Sequence, residues 1–168
     1  MPANYVPHTY SSTPSPPEIT TPIELRSPDL RELFEVWEKV KGEEEIPANP
    51  QDILKSVRKL MPYLLLFDPI DDGKDFVLRL MGQGVFPDLD PNPSGQRISE
   101  HSDPGIGLRF LYLLQETHAR RTAIRGVARR VTPVEKHNYR VESLWLPFGS
   151  DVRVNRILAM ASFEQLPG

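Results

Sequence analysis

Residues 62–84, PYLLLFDPIDDGKDFVLRLMGQG, decide the fold that the sequence predicts. A short apolar run is followed by residues 71–73, Asp-Asp-Gly, which are typical of a tight turn. Asp favours such a turn because it bonds to nearby backbone, and Gly favours it because it accepts positive φ. Beyond the turn, Phe76, Leu78 and Leu80 alternate with other residues at the period of a strand with one buried face. The stretch therefore predicts a β-hairpin.

Further strands and helices are needed, because an isolated hairpin is only marginally stable in water. Residues 103–118 have a broad apolar surface and predict a helix that lies across a sheet. Three more strands are predicted at residues 122–132, 139–147 and 156–163. This order predicts an α+β fold: a five-stranded antiparallel sheet with helices on one face.

The chain before the hairpin is predicted to be a tail followed by two helices. Residues 1–26 are rich in Pro, Ser and Thr and predict a flexible tail; the alternative is an arm that docks on its own domain or on a partner subunit. Residues 27–61 predict two helices, the first beginning after Ser27 and the second covering about residues 50–61. Residues 62–168 then form the sheet domain.

An apolar stripe runs along the first predicted helix and includes Leu30, Leu33, Phe34 and Trp37. Two interpretations of the stripe remain open. It is either a contact with the protein's own core or the interface of a homodimer, since the helix precedes the sheet domain and could pack outside it.

Composition limits the classes of function. A chain of 168 residues has room for one domain with extensions, and its net charge of −3 creates no general field for nucleic acid or anionic membranes. It contains no cysteine, which excludes disulfides, thiolate metal sites and thiol nucleophiles. No apolar run approaches the roughly 20 residues that span a bilayer, and no secretory signal is recognisable. We therefore expect a cytoplasmic protein.

Catalytic and metal motifs find no support in the sequence. The four histidines lack the two-His helical spacing of a metalloprotease, and the aspartates near residue 71 are explained by the turn. His118 could in principle bind haem as an axial ligand, but an ordinary histidine at a helix end is the favoured interpretation. We predict no enzyme, no catalytic residue and no metal site.

A run of arginines is the densest charge feature. We favour a solvated strand face with salt bridges, and the alternatives are an interface or an anion or nucleic-acid patch. No aromatic residues alternate with these arginines, which disfavours single-stranded nucleic acid. The run consists of Arg120, Arg121, Arg125, Arg129 and Arg130.

The order of elements resembles a PAS domain, and more narrowly a bacterial PAS-like family whose members often stand alone. The resemblance covers about residues 29–163. Two departures are Gln83, where family members often have Thr, and a short segment over residues 46–50. The resemblance is carried by Trp37, Ile46-Pro47, Pro50, Met61-Pro62-Tyr63-Leu64, Arg79-Leu80-Met81-Gly82, Ser94-Gly95, Ile98 and Leu144-Trp145-Leu146-Pro147-Phe148.

The resemblance implies a sheet order of 2-1-5-4-3 and often a pocket between helices and sheet. With residues 103–118 covering the sheet, we expect a pocket with His118 or Arg125 as its polar contact; the same side chains could instead fill a closed core. The candidate pocket residues are Phe86, Phe110, Leu114, His118, Arg125, Trp145 and Met160.

These observations lead to one expected function and two alternatives. The leading hypothesis is a dimeric PAS-like sensory or regulatory domain that binds an unknown small ligand and signals through a protein partner. The alternatives are a ligand-free interaction module and an anion- or nucleic-acid-binding protein. The cofactor is unknown: a flavin adduct would require the cysteine that the chain lacks, and haem is disfavoured.

Overall fold

A computed structural model describes residues 16–84, 95–101, 104–131 and 138–167. Within these residues the chain forms an open antiparallel sheet of six strands and three α-helices. The helices are α1 (Pro28–Lys41), α2 (Gln51–Leu54) and α3 (Pro104–Arg120). The strands are β1 (Glu18–Thr20), β2 (Leu65–Ile70), β3 (Asp75–Met81), β4 (Ile124–Val131), β5 (Asn138–Gly149) and β6 (Val154–Gln165), and they lie in the order β1-β4-β5-β6-β2-β3.

The α+β class and the antiparallel sheet are confirmed, whereas the predicted number of five strands is wrong. The additional strand, β1, comes from the predicted tail and pairs with β4, with Ile19 opposite Gly126. The whole sheet therefore differs from the expected order by this extra edge strand. The remainder of the predicted tail, residues 1–15, lies outside the described residues.

Local capping chemistry sets the limits of the first helix as the sequence predicts. The Ser27 hydroxyl accepts a hydrogen bond from the amide of Leu30 at 3.3 Å, and Gly42 ends the helix with a φ of +58°. The second helix, predicted over about residues 50–61, is α-helical only in α2, and the prediction is wrong for the residues after Leu54. Residues Lys55–Tyr63 form 3-10 turns broken at Val57, and Pro62, which has no amide proton, prevents an α-helical ending.

The predicted hairpin forms, but its alternation of buried and exposed residues changes halfway along β3. Leu66 pairs with Leu80 and Phe67 pairs with Leu78, so Arg79 is an extra residue in a β-bulge. The bulge reverses the facing of the residues beyond it. Leu80 is consequently 62% exposed, although the sequence predicts it on the buried face.

Helices cover both faces of the sheet: α3 lies on one face, and α1, from the predicted N-terminal helical extension, lies on the other. Adjacent residues of β5 demonstrate this, since neighbours in a strand point to opposite sides. The Glu142 carboxylate accepts a hydrogen bond from the amide of Ser27, at the start of α1. The next residue, Ser143, lies opposite Gly126, where an added Cβ would be 2.9 Å from Cδ2 of Leu113 in α3.

The apolar residues of the central strand, β5, explain why both faces of the sheet are covered by helices. Leu144 and Leu146 point to the α1 side, Trp145 points to the α3 side, and all three are buried. A strand with large apolar side chains on both sides requires packing on both sides, as in sheets that are covered by helices.

The internal packing of α1 predicts a large stability difference between two residues of the same helix. Leu33 is fully buried, whereas Val40 is 38% exposed. We expect Leu33→Ala to lower the free energy of unfolding by about 2–5 kcal/mol and Val40→Ala by well under half of that, measured by urea titration. If α1 were detachable from the sheet, the two variants would have the same urea midpoint.

Candidate functional site

Three aromatic rings meet between α3 and the sheet, and we call Phe67, Phe110 and Trp145 the aromatic cluster. The ring centroids are 6.2 Å apart for Phe67 and Phe110, 6.0 Å for Phe67 and Trp145, and 5.6 Å for Phe110 and Trp145. Phe67 and Trp145 are buried, and the indole Nε1 donates to the Ser143 hydroxyl at 2.8 Å. Phe110, on α3, is only half-buried and forms the outer side of the cluster.

His118 lies two helical turns after Phe110 on the same stripe of α3, with buried Leu114 between them. Its ring meets Phe76 edge-on with centroids 6.2 Å apart. It also lies directly over the hairpin turn, because a Cβ at Gly73 would be 2.4 Å from Nδ1 of the imidazole. Glycine is required there for two reasons. A Cβ would clash with the imidazole, and the backbone φ of +79° is one that residues with a side chain rarely adopt.

The imidazole of His118 favours its neutral form. Burial lowers its pKa, and the positive charge of Arg121 lowers it further, while Asp72 acts in the opposite direction. A neutral imidazole has one nitrogen that donates a hydrogen bond and one that accepts. His118 is therefore a polar group that α3 provides at the edge of the apolar interior.

Of the predicted pocket residues, the structure brings Phe110 and Trp145 into contact. Leu114 and His118 lie further along the same stripe of α3, with His118 against Phe76 over the hairpin turn. Two others are separated from all of these. Arg125 and Met160 each pair directly with Leu144 and so share its face, the α1 side of the sheet. Arg125 therefore cannot be the polar contact of a pocket under α3, and Met160 cannot line it. The seventh residue, Phe86, lies outside the described residues.

Arg125 instead forms a buried pair with Glu142 at the centre of a network that we call the anchor network, formed by Thr20, Arg26, Ser27, Arg125 and Glu142. The Arg125 Nε donates to Glu142 at 2.7 Å, and its NH1 donates to the Thr20 hydroxyl at 3.0 Å. The amides of Arg26 and Ser27 donate to the same carboxylate at 2.9 and 2.8 Å. The network thus joins β1, the start of α1, β4 and β5.

The anchor network keeps Glu142 ionised. Burial would raise the pKa of this carboxyl, but the hydrogen bonds from Arg26, Ser27 and Arg125, with the positive charge of Arg125, hold it below its ordinary value. Of the residues in the network, the sequence predicts a functional role only for Arg125, as a pocket contact and as part of the arginine run, and it does not single out Glu142. The sequence does contain one sign of such a network: Glu142 alternates with Leu144 and Leu146 and so shares their face of the strand. A carboxylate that is buried among apolar residues requires hydrogen-bonding partners.

The apolar stripe of α1 is used inside the chain. Leu30, Leu33 and Trp37 are buried, and Nε1 of Trp37 donates to the carbonyl of Pro147 at 3.0 Å. Phe34 stacks on Trp37 with centroids 6.1 Å apart and remains half-buried. Of the predicted interface residues, only Phe34 keeps surface for a second subunit, and the homodimer stays a prediction.

Three arginines of the predicted run have carboxylate partners within the chain. Arg120 pairs with Glu116 at 2.9 Å, Arg121 pairs with Glu45 at 3.3 Å, and Arg125 pairs with Glu142. Elsewhere, the described residues hold no group of three or more side chains that could bind a metal ion. No helix in the described ranges is long and apolar enough to cross a membrane.

Comparison of the chain with protein-family models, with curated proteins and with solved structures gave no match.

Removing the Glu142 carboxylate should destabilise the fold strongly. We expect Glu142→Ala to lower the free energy of unfolding by about 3–5 kcal/mol, because it leaves the Arg125 guanidinium buried without its partner. The matched control is Glu164→Ala on the neighbouring strand, whose half-exposed carboxylate should contribute no more than about 1 kcal/mol. Equal losses in urea titrations of the two variants would contradict the anchoring role.

His118 should titrate below its ordinary pKa of 6.5 in the folded protein. Because the unfolded state then binds a proton more readily, stability should fall as the pH decreases below about 6.5. Imidazole signals in an NMR titration measure this directly. Arg121→Gln should raise the His118 pKa partway, since it removes one of the two causes and leaves burial. A wild-type pKa at or above 6.5 would show that the ring is hydrated.

Proposed function

We propose that the chain is a PAS-like regulatory domain that binds a small, mainly apolar ligand between α3 and the sheet. The order of five of its strands supports this proposal: β3, β2, β6, β5 and β4 adjoin in the sequence that the resemblance implies, with β1 added at the edge. The position of α3 across one face also supports it. The signal would pass to a protein partner.

The single observation that carries the ligand proposal is the unequal burial within the aromatic cluster. Phe67 and Trp145 form a buried floor, whereas Phe110 covers them from α3 and is itself only half-buried. Rotation of the Phe110 ring would uncover two aromatic faces without breaking a backbone hydrogen bond. Ligand sites of this kind combine an apolar lining with a few polar groups. The Ser143 hydroxyl lies at the cluster, and His118 lies two helical turns further along α3.

A ligand-free interaction module is the second candidate function. It is favoured by the close approach of the three rings of the cluster, whose centroid distances are within the range of ordinary aromatic contacts in a filled core. In this case α3 serves only to complete the core, and the domain acts through its outer surface.

Native mass spectrometry of the purified full chain distinguishes the two. The ligand proposal predicts an additional mass in gentle conditions that disappears on denaturation. Phe110→Trp should abolish it, because the larger ring fills the space above Trp145. Leu108→Trp is the matched control, since this residue lies on the same helix but is 50% exposed, and it should retain the additional mass.

Two outcomes would overturn the ligand proposal. One is a wild-type mass equal to that of the bare chain, which would favour the interaction module. The other is an additional mass that persists in Phe110→Trp, which would place the bound compound elsewhere.

A further inference from the structure

An open cleft of about 260 Å³ lies on the face of the sheet opposite α3, next to the N-terminus of α1. Its floor consists of two cross-strand pairs of β5 and β6, and its wall is the chain that leads into α1. All six residues that line it are of polar or charged type. The lining residues are Arg26, Ser27, Arg140, Glu142, Ser162 and Glu164.

One of the two carboxylates in the cleft is already satisfied. Oε1 of Glu142 accepts from the Ser27 amide at 2.8 Å, and Oε2 accepts from the Arg26 amide and from Arg125 Nε at 2.9 and 2.7 Å. Its charge is balanced by Arg125, so Glu142 neither attracts a cation from solution nor neutralises the other arginines of the cleft.

The two arginines that line the cleft, Arg26 and Arg140, share one exposed carboxylate. Glu164 lies 3.5 Å from Arg140 and 3.9 Å from Arg26. Both distances exceed the about 2.7–2.9 Å of a charge-assisted hydrogen bond. The side chain of Glu164 is 52% exposed, so water competes with both contacts. The two guanidinium groups, of Arg26 and Arg140, thus carry two positive charges and share the single negative charge of Glu164 through weak contacts.

A third arginine increases the positive potential at this end of the sheet. Arg129 in β4 lies directly opposite Arg140 in β5 and is exposed on the same face. Like charges in directly opposed positions repel one another. A bound anion would relieve this repulsion.

We propose that the cleft binds a small organic dianion of the phosphate-monoester class, which displaces Glu164 from Arg26 and Arg140. Planar guanidinium groups bind phosphate through paired hydrogen bonds, and the Ser162 hydroxyl on the floor can donate a further one. The cleft lies on the other side of the sheet from the aromatic cluster. The proposal is therefore independent of ligand binding under α3.

Isothermal titration calorimetry of the full chain tests the proposal with four probes: glycerol 1-phosphate, inorganic phosphate, succinate and acetate. We expect both phosphates to bind in the millimolar range or tighter, with the monoester tighter than acetate by at least about tenfold, because acetate carries a single charge. Tighter binding of succinate than of either phosphate would overturn the assignment to phosphate esters.

Three variants identify the site. Arg140→Ala should weaken binding of glycerol 1-phosphate by about tenfold or more, because it removes a charge-assisted fork. Glu164→Gln should tighten it several-fold by removing the internal competitor, and this exposed substitution leaves the core intact. Arg153→Ala is the control: this arginine is exposed near the turn at the far end of the β5–β6 hairpin, and its removal should have no effect.

The absence of detectable binding by the wild-type chain would refute the proposal. So would binding that Glu164→Gln leaves unchanged or weakens, because the carboxylate would then not compete with the ligand. An equal loss in Arg140→Ala and Arg153→Ala would indicate attraction to the general surface charge.

Discussion

The ion pair between Arg125 and Glu142 is the interaction on which the arrangement of this protein depends. Desolvating two charges is costly, and a buried pair is tolerated only when its remaining hydrogen-bonding groups are also satisfied. The Thr20 hydroxyl and the amides of Arg26 and Ser27 complete that requirement. Because these partners precede or begin α1, the pair fixes the N-terminal segment on the sheet, and α1 follows onto the same face.

The consequence is a sheet whose two faces differ in chemistry. The face under α3 is apolar and aromatic, with His118 as a polar group at one end of the helix. The face under α1 is apolar near Leu144 but becomes charged beyond the start of α1, where Arg140 and Glu164 lie. An apolar ligand and an anion would therefore bind on opposite sides of the same strands. Strand β5, which contributes to both, is the element through which the two sites could influence each other.

Much of the fold could be predicted from sequence because the relevant signals are local. Ser27 starts a helix and Gly73 closes a hairpin through their own backbone and side-chain chemistry. The errors arise where pairing between distant strands decides the outcome. The bulge that exposes Leu80 depends on the register of two strands, and the face on which Met160 lies depends on its partner in β5. The strand at Ile19 is three residues long and lies among prolines, so no local pattern marks it.

Hydrogen exchange at the amides of Arg26 and Ser27 tests the central claim most directly. Amides at the N-cap of a helix and just before it have no partner within the helix and ordinarily exchange rapidly. Here both donate to Glu142, which is 116 residues away from Arg26 in sequence. The anchor network predicts that both amides exchange as slowly as the central strands and that Arg125→Ala removes this protection. Rapid exchange of both amides in the wild-type chain would contradict it.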